Sequence, residues 1–228
     1  KVKFSHPGGD DIGSRPIDAH LEGFRTLGAK VDQNKSFIHL SADELKGNLV
    51  VLPMASVTGT ENLILSSVLA QGVTELRLAA TEPHVQTLCR ALQKMGAVID
   101  GIGTPNLTIT GVKELQGIDF SLNGDEIEAM TFCVAAAVTA GEVMISGVEL
   151  VNLDAPLAAL QRMNVNFDSG SSDEGDWILI KPPKRKYQGT KIVTGVFPQL
   201  LTDDQPLFGV LATQAEGETS IHDWFYEG

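Results

Sequence analysis

The sequence predicts a mixed α/β (α+β) protein assembled from a repeated β-α-β-α-β-β unit of about 70 residues, forming incomplete inside-out α/β barrel domains with helices inside and sheets outside. Two repeats carry this expectation. FRTLGAKV, LQKMGAVI and LQRMNVNF place Gly28, Gly96 and Asn164 at an even step of 68 residues (96 − 28 = 164 − 96). NLILSSVLAQGVTELRL, TFCVAAAVTAGEVMISGV and LFGVLATQAEGETSIHDW each read as an apolar helix, a glycine stop and a strand.

The elements of one unit follow in order. The amphipathic helix ends at Gly28, Gly96 or Asn164, which suit the left-handed position after a helix because a missing or small polar side chain costs least there. A short β-like run, a polar turn and a second run come next: FIHL, LTIT and WILI. Each is followed by Leu45-Lys46-Gly47, Leu115-Gln116-Gly117 or Tyr187-Gln188-Gly189. The second helix of the unit is small and aliphatic nearly all round, which predicts burial on most faces. The chain opens in β-like sequence without a Met and stops inside a further unit at WFYEG, so it is read as a piece of a larger protein.

Composition narrows the function. The 228 residues suffice for one large or two medium domains with real cores. A net charge of −12 and a pI of about 4.7 argue against general nucleic-acid binding, which needs clustered cations. The one basic run, Lys184-Arg185-Lys186, reads as a solvated turn after Pro182-Pro183. The longest apolar run, 132–140, is too short for a bilayer, and KVKFSHPGG lacks the apolar core of a signal peptide. Cys89 and Cys133 lie in helical patterns and are expected as buried reduced thiols in a cytoplasmic protein. The five histidines show no metal-ligand spacing, and no Walker loop or dinucleotide fingerprint occurs, so no cofactor is expected.

Long ordered stretches then carry a resemblance. PGGDDIGSRPIDAHLEGFRTLGAKV, SVTGTENLILSSVLAQGVTELRLAATEPHVQTLCRALQKMGAVI, DEIEAMTFCVAAAVTAG and LLTDDQPLFGVLATQAEG resemble, nearly end to end, the enolpyruvyl transferases, and among them the UDP-N-acetylglucosamine 1-carboxyvinyltransferases. The resemblance implies two domains, each of three units about a pseudo-threefold axis. Residues 1–123 then cover two of three units of a loop-bearing domain, and 124–228 about one and a half units of a second. It implies UDP-N-acetylglucosamine and phosphoenolpyruvate as partners, with neither nucleic acid nor membrane, and self-association through incomplete domain edges. Five-enolpyruvylshikimate-3-phosphate synthase is the neighbouring alternative, and a non-catalytic binding or structural piece is a third.

The family reaction adds a sugar hydroxyl to C2 of phosphoenolpyruvate and then eliminates phosphate, so it needs a proton donor and a proton acceptor. Asp10 stands where many members carry the loop cysteine, and the resemblance makes it the general acid, with Asp11 as an exposed neighbour. Read alone, Gly-Gly-Asp-Asp is a solvated turn. Asp203 and Thr202 match the family's Thr-Asp-x-Gln, which makes Asp203 the base and Asp204 its solvated neighbour. Locally, TDDQP also reads as a helix start with acids suited to the dipole. Arg15 matches the arginine that meets phosphate and enolpyruvate, a task for a planar, permanently charged fork. Pro16, Ile17, Asp18 and Ala19 match the uridine cradle, although Asp18 also reads as a helix N-cap. Ser56, Val57 and Thr58 open a helix suited to a diphosphate, with Met54 and Thr58 departing from the family's lysine and glycine. Phe225 aligns near an apolar contact to the sugar nucleotide.

Overall fold

The strand pairings repeat as the helix ends do. The computed structural model describes residues 1–5, 16–34 and 36–225. Contacts divide the chain into two units, the first being Lys1–Phe120 and the second beginning at Ser121.

The first unit holds β1 (Val2–Phe4), α1 (Asp18–Thr26), β2 (Lys30–Gln33), β3 (Ile38–Ser41), β4 (Leu49–Val51), α2 (Val57–Ser67), β5 (Val73–Arg77), α3 (Pro83–Lys94), β6 (Val98–Asp100) and β7 (Asn106–Thr110). The second holds α4 (Glu126–Val138), β8 (Val143–Val148), α5 (Asp154–Arg162), β9 (Phe167–Ser172), β10 (Gly175–Ile180), β11 (Tyr187–Gln188), β12 (Lys191–Val193), α6 (Gln205–Ala212), β13 (Ala215–Glu216) and β14 (Ser220–His222). Three antiparallel trios share one order, with the hairpin's second strand in the middle: β1-β3-β2, β5-β7-β6 and β8-β10-β9. Around α2 and α6 the strand before the helix pairs in parallel with a strand after it, β4 with β5 and β12 with β14.

Helix ends explain the spacing of the repeat. Gly28, Gly96 and Asn164 all have positive φ, at 94°, 105° and 63°. In each case the following amide reaches back to the helix: Ala29 to Phe24, Ala97 to Leu92 and Val165 to Leu160, at 2.9, 2.9 and 3.0 Å. These are Schellman ends, which satisfy carbonyls that the helix itself leaves without donors. The residue before the conserved-looking glycine of each unit then closes the last carbonyl. Lys46, Gln116 and Gln188 donate their amides to Leu27, Met95 and Met163 at 2.9, 2.8 and 3.1 Å. A side chain at Gly47 would meet the backbone of Val73 at 2.4 Å, and one at Gly189 the carbonyl oxygen of Glu218 at 2.3 Å. Glycine is therefore required there by close approach, not by turn conformation.

The apolar helices depart from expectation in two ways. The α4 stop is Ala140, not the Gly141 that the sequence suggests: Ala140 takes φ 52° and Gly141 donates to Ala136 at 2.9 Å. An alanine in the left-handed region pays a steric cost that glycine does not. Ala140→Gly is expected to stabilise the second unit by about 0.5–1 kcal/mol, read as a rise in its denaturation midpoint. Burial is also one-sided. Leu65 and Leu69 after α2's buried Leu63 and Ile64, Phe132 on α4 and Val210 on α6 are about half exposed. Apolar composition on every face forecasts burial only where neighbouring elements exist to supply it.

Each unit has its own core. Leu27, Leu63, Ile64, Leu76 and Ile109 are fully buried in the first, and Met130, Leu160, Ile178, Ile192 and Phe208 in the second. Both cysteines are free and buried, and burial pushes the Cys89 thiol up to about 11 and the Cys133 thiol up to about 12. They are packing residues without thiolate chemistry at neutral pH.

Candidate functional site

The expected site residues fall on two patches, one in each unit. Asp10, Asp11 and Arg15 lie outside the described residues.

In the first unit, the sequence brings two helix starts together. Gly23 and Gly59 let α1 lie close on α2: a methyl at Gly23 would come within 2.4 Å of the Leu63 side chain, and one at Gly59 within 3.4 Å of Ala19 Cβ. That contact sets Ala19 against Gly59 and brings His20 to Thr58. The N-cap of α1 is Ile17, whose carbonyl accepts from His20 and Leu21 at 3.1 Å each. Asp18 is therefore the first helical residue and not the cap that the sequence suggests, and its carboxylate is exposed at the positive end of the helix. Ala19 is buried against α2, which leaves its backbone, not its methyl, for any ligand. Ser56 caps α2 by accepting from Gly59 N at 3.2 Å, and Thr60 N bonds the Ser56 carbonyl. The amides of Val57 and Thr58, ahead of that first bond, are those a helix start holds out to a partner. Met54 is exposed just before them.

One polar contact here is invisible in the sequence. Asn62 donates to His20 Nδ1 at 2.8 Å, so the imidazole carries its proton on Nε2, which lies 3.3 Å from Thr58 Oγ1 and donates to it. Burial lowers the pKa of His20 and keeps the ring neutral. The Thr58 hydroxyl is thus tied to α1. Thr58 and Asn62 are four apart and share a helix face, which the sequence does show, but their partner is 38 and 42 positions away.

In the second unit, Asp203 and Asp204 form a 3-10 turn, Thr202–Asp204, that runs straight into α6. Asp203 is exposed. Asp204 is not its solvated neighbour: it is only 3% exposed, and its Oδ1 is buried without a hydrogen-bond partner among the described residues. It occupies the N-cap position of α6 but makes no side-chain cap bond, so it does not act as the dipole-suited start that TDDQP suggests. Burial first, then the charges of Asp203 and of Glu126 on α4, push Asp204 up to about 7, against a backbone hydrogen bond from Leu201 that pulls it down. Thr202 Oγ1 donates to Asp223 Oδ1 at 3.4 Å, and the same oxygen accepts from Phe225 N at 3.1 Å. Asp223 therefore draws Thr202 and Phe225 together, a role that nothing in the sequence marks. Among the described residues no three His, Cys, Asp or Glu side chains gather as they would around a metal ion.

Elsewhere in this unit, a shallow groove of about 610 Å³ runs between the end of α4 and the basic run, lined by Ala137, Val138, Lys184, Arg185, Tyr187 and Gln214. Lys186 pairs there with Glu216, and Tyr187 donates to the Ala137 carbonyl at 2.6 Å. Its cations are exposed, as a solvated turn would have them. None of the expected site residues lines it.

The family model described as EPSP synthase (3-phosphoshikimate 1-carboxyvinyltransferase) matches residues 1–224. The chain belongs to this family. Its curated relatives include the UDP-N-acetylglucosamine 1-carboxyvinyltransferase of Coxiella burnetii (strain Dugway 5J108-111), 41% identical over the whole chain and 52% of that protein. The same-named protein of Desulfatibacillum aliphaticivorans is 39% identical, over the whole chain and 53% of its own length. The chain thus spans about half the length of the curated relatives it matches. Among solved structures, the enolpyruvyl transferase NikO from Streptomyces tendae superposes with a TM-score of 0.80 at 20% identity, over 92% of this chain and 52% of that one. EPSP synthase from Acinetobacter baumannii gives 0.66 at 22% identity, over 97% and 51%. These likenesses establish an EPSP synthase-like fold of mixed α and β content.

Proposed function

We propose that this chain is part of a UDP-N-acetylglucosamine 1-carboxyvinyltransferase, a cytoplasmic enzyme of peptidoglycan precursor synthesis. The observation that carries the proposal is the packing of α1 on the start of α2, Ala19 against Gly59 and His20 on Thr58, which joins a helix start bearing an exposed carboxylate to one with open first-turn amides. Asp18 suits a uridine donor, and the amides of Val57 and Thr58 suit a diphosphate. Arg15 precedes that junction in the chain and supplies the fixed positive charge for phosphate and enolpyruvate. Domains of residues 1–123 and 124–228 as incomplete inside-out barrels fit the three strand trios of common order.

In the reaction, the 3-hydroxyl oxygen of the sugar bonds to C2 of phosphoenolpyruvate, and its proton passes to Asp203. Asp10 gives a proton to C3, which becomes a methyl group. Asp10, now ionised, takes a proton back from that methyl, which re-forms the double bond as the C2–O bond to phosphate breaks, releasing inorganic phosphate and the enolpyruvyl ether. Asp203 suits the acceptor role because it is exposed while the acid beside it is not. The exposed apolar side chains Leu65, Leu69 and Phe132 favour self-association of the chain.

Titration calorimetry of the chain with UDP-N-acetylglucosamine, and with shikimate-3-phosphate beside it, tests the substrate. Saturable binding of the sugar nucleotide alone is expected, weakened at least tenfold in Arg15→Ala. Binding of shikimate-3-phosphate alone would replace this reading with that of a shikimate-pathway synthase. No turnover is expected from these residues by themselves, and phosphate release by the purified chain would overturn that.

A further inference from the structure

The buried acid beside Asp203 has no part in the reaction as described, and the fold gives it an unusual setting. Asp204 sits at the junction of the 3-10 turn and α6, almost wholly enclosed, with Oδ1 lacking any donor among the described residues. Its amide is used, donating to the Leu201 carbonyl at 3.1 Å. The charged groups that face it are both negative: Asp203 on its own turn and Glu126 in the first turn of α4, the helix packed against that turn. An ionised carboxylate so placed would be a buried charge without a counter-charge, which costs several kcal/mol, whereas a protonated carboxyl carries its own donor.

We propose that Asp204 is a positioning residue for Asp203: it holds the single proton of the pair and so leaves Asp203 as the exposed, ionised group free to accept the proton of the sugar hydroxyl. Two neighbouring acids share protons unequally when one is dry and the other wet, because the proton settles where the charge is least well solvated. Here burial makes that choice at the level of the fold. The upward push on Asp204, to about 7, agrees with it.

The role rests on Asp203 serving as the acceptor, but its test does not require turnover. In the 228-residue chain, carbon-13 resonances of the aspartate carboxyls are followed from pH 3 to pH 9 in wild type, Asp204→Asn and Glu126→Gln. Asp204 is expected to titrate near pH 7. The Asp203 resonance is expected to shift as Asp204 ionises beside it. In Asp204→Asn that shift disappears. In Glu126→Gln the midpoint of Asp204 falls by a small step, since Glu126 is the least of its causes, which keeps the proposal testable should Asp204→Asn fail to fold. An Asp204 midpoint near 4, or an Asp203 resonance that passes unshifted through the ionisation of Asp204, overturns the proposal and leaves the transferase reading intact. Failure of sugar-nucleotide binding with that shift preserved does the reverse.

Discussion

Between pH 4 and pH 7 the chain is expected to lose roughly 4 kcal/mol of folding stability through Asp204 alone, and Asp204→Asn is expected to abolish that slope. The sign follows from where the proton sits. In the unfolded chain Asp204 releases it near the ordinary value of 3.8, whereas the fold holds it to about 7. The folded state therefore binds more protons across this window, and its advantage is complete below the lower value and gone above the higher one. Each unit of the difference is worth about 1.4 kcal/mol. Two other carboxylates act oppositely. Asp168 is held down by the hydrogen bond and charge of Lys181, and Asp176 by the Ser171 hydroxyl and the Leu150 amide. Their stabilisation is present above the ordinary carboxylate range and lost as pH falls through it. The net expectation is greatest stability near pH 5, with decline on both sides. Urea midpoints at pH 5 and pH 8 measure this, provided the dependence on denaturant is the same in both chains. Wild type should fall between those values, while Asp204→Asn should not fall and should rise slightly, because the lowered pKa of His20 favours the folded state as pH increases; parallel curves would mean that Asp204 is an ordinary carboxyl.

The contrast between Asp203 and Asp204 shows where sequence reasoning reached its limit. The repeat was legible because it is local: a left-handed residue after a helix and an amide returned to the helix end have fixed spacing. Gly28, Gly96 and Asn164 declare themselves for that reason. Two adjacent aspartates do not. In a 3-10 turn successive residues point about 120° apart, so one of the pair faces inward, and which one depends on packing against α4, where Glu126 lies 78 positions before Asp204 (204 − 126). The His20 link to Thr58 and Asn62 is likewise a product of two glycines that let α1 approach α2, and glycine spacing alone names no partner. Leu65, Leu69 and Phe132 err the other way. Hydropathy marks a helix face as one that a neighbour should cover, but it carries no record of whether that neighbour belongs to the same chain.

Removal of a central side chain from either core is expected to open that unit alone. Phe208 on α6 and Leu63 on α2 are both fully buried, and the two clusters they belong to share no residue. Truncation leaves a cavity as well as losing transfer energy, so Phe208→Ala is expected to cost about 3–5 kcal/mol and Leu63→Ala about 2–5. The lower limit for Leu63 reflects its site: its methyl groups cover Gly23, and α1 can settle inward by a fraction of the missing volume because no side chain at Gly23 holds it off. Phe208 has no such relief beneath it, since α4 lies against α6 with Met130 and Cys133 fully buried in the same core. Amide exchange distinguishes local from shared loss. Leu63→Ala should speed exchange in the β5–β7–β6 ladder while β8–β10–β9 keeps its protection, and Phe208→Ala should do the opposite. Equal loss in both ladders from either substitution would mean that the two cores unfold as one, and that the division at Ser121 is one of contact and not of stability.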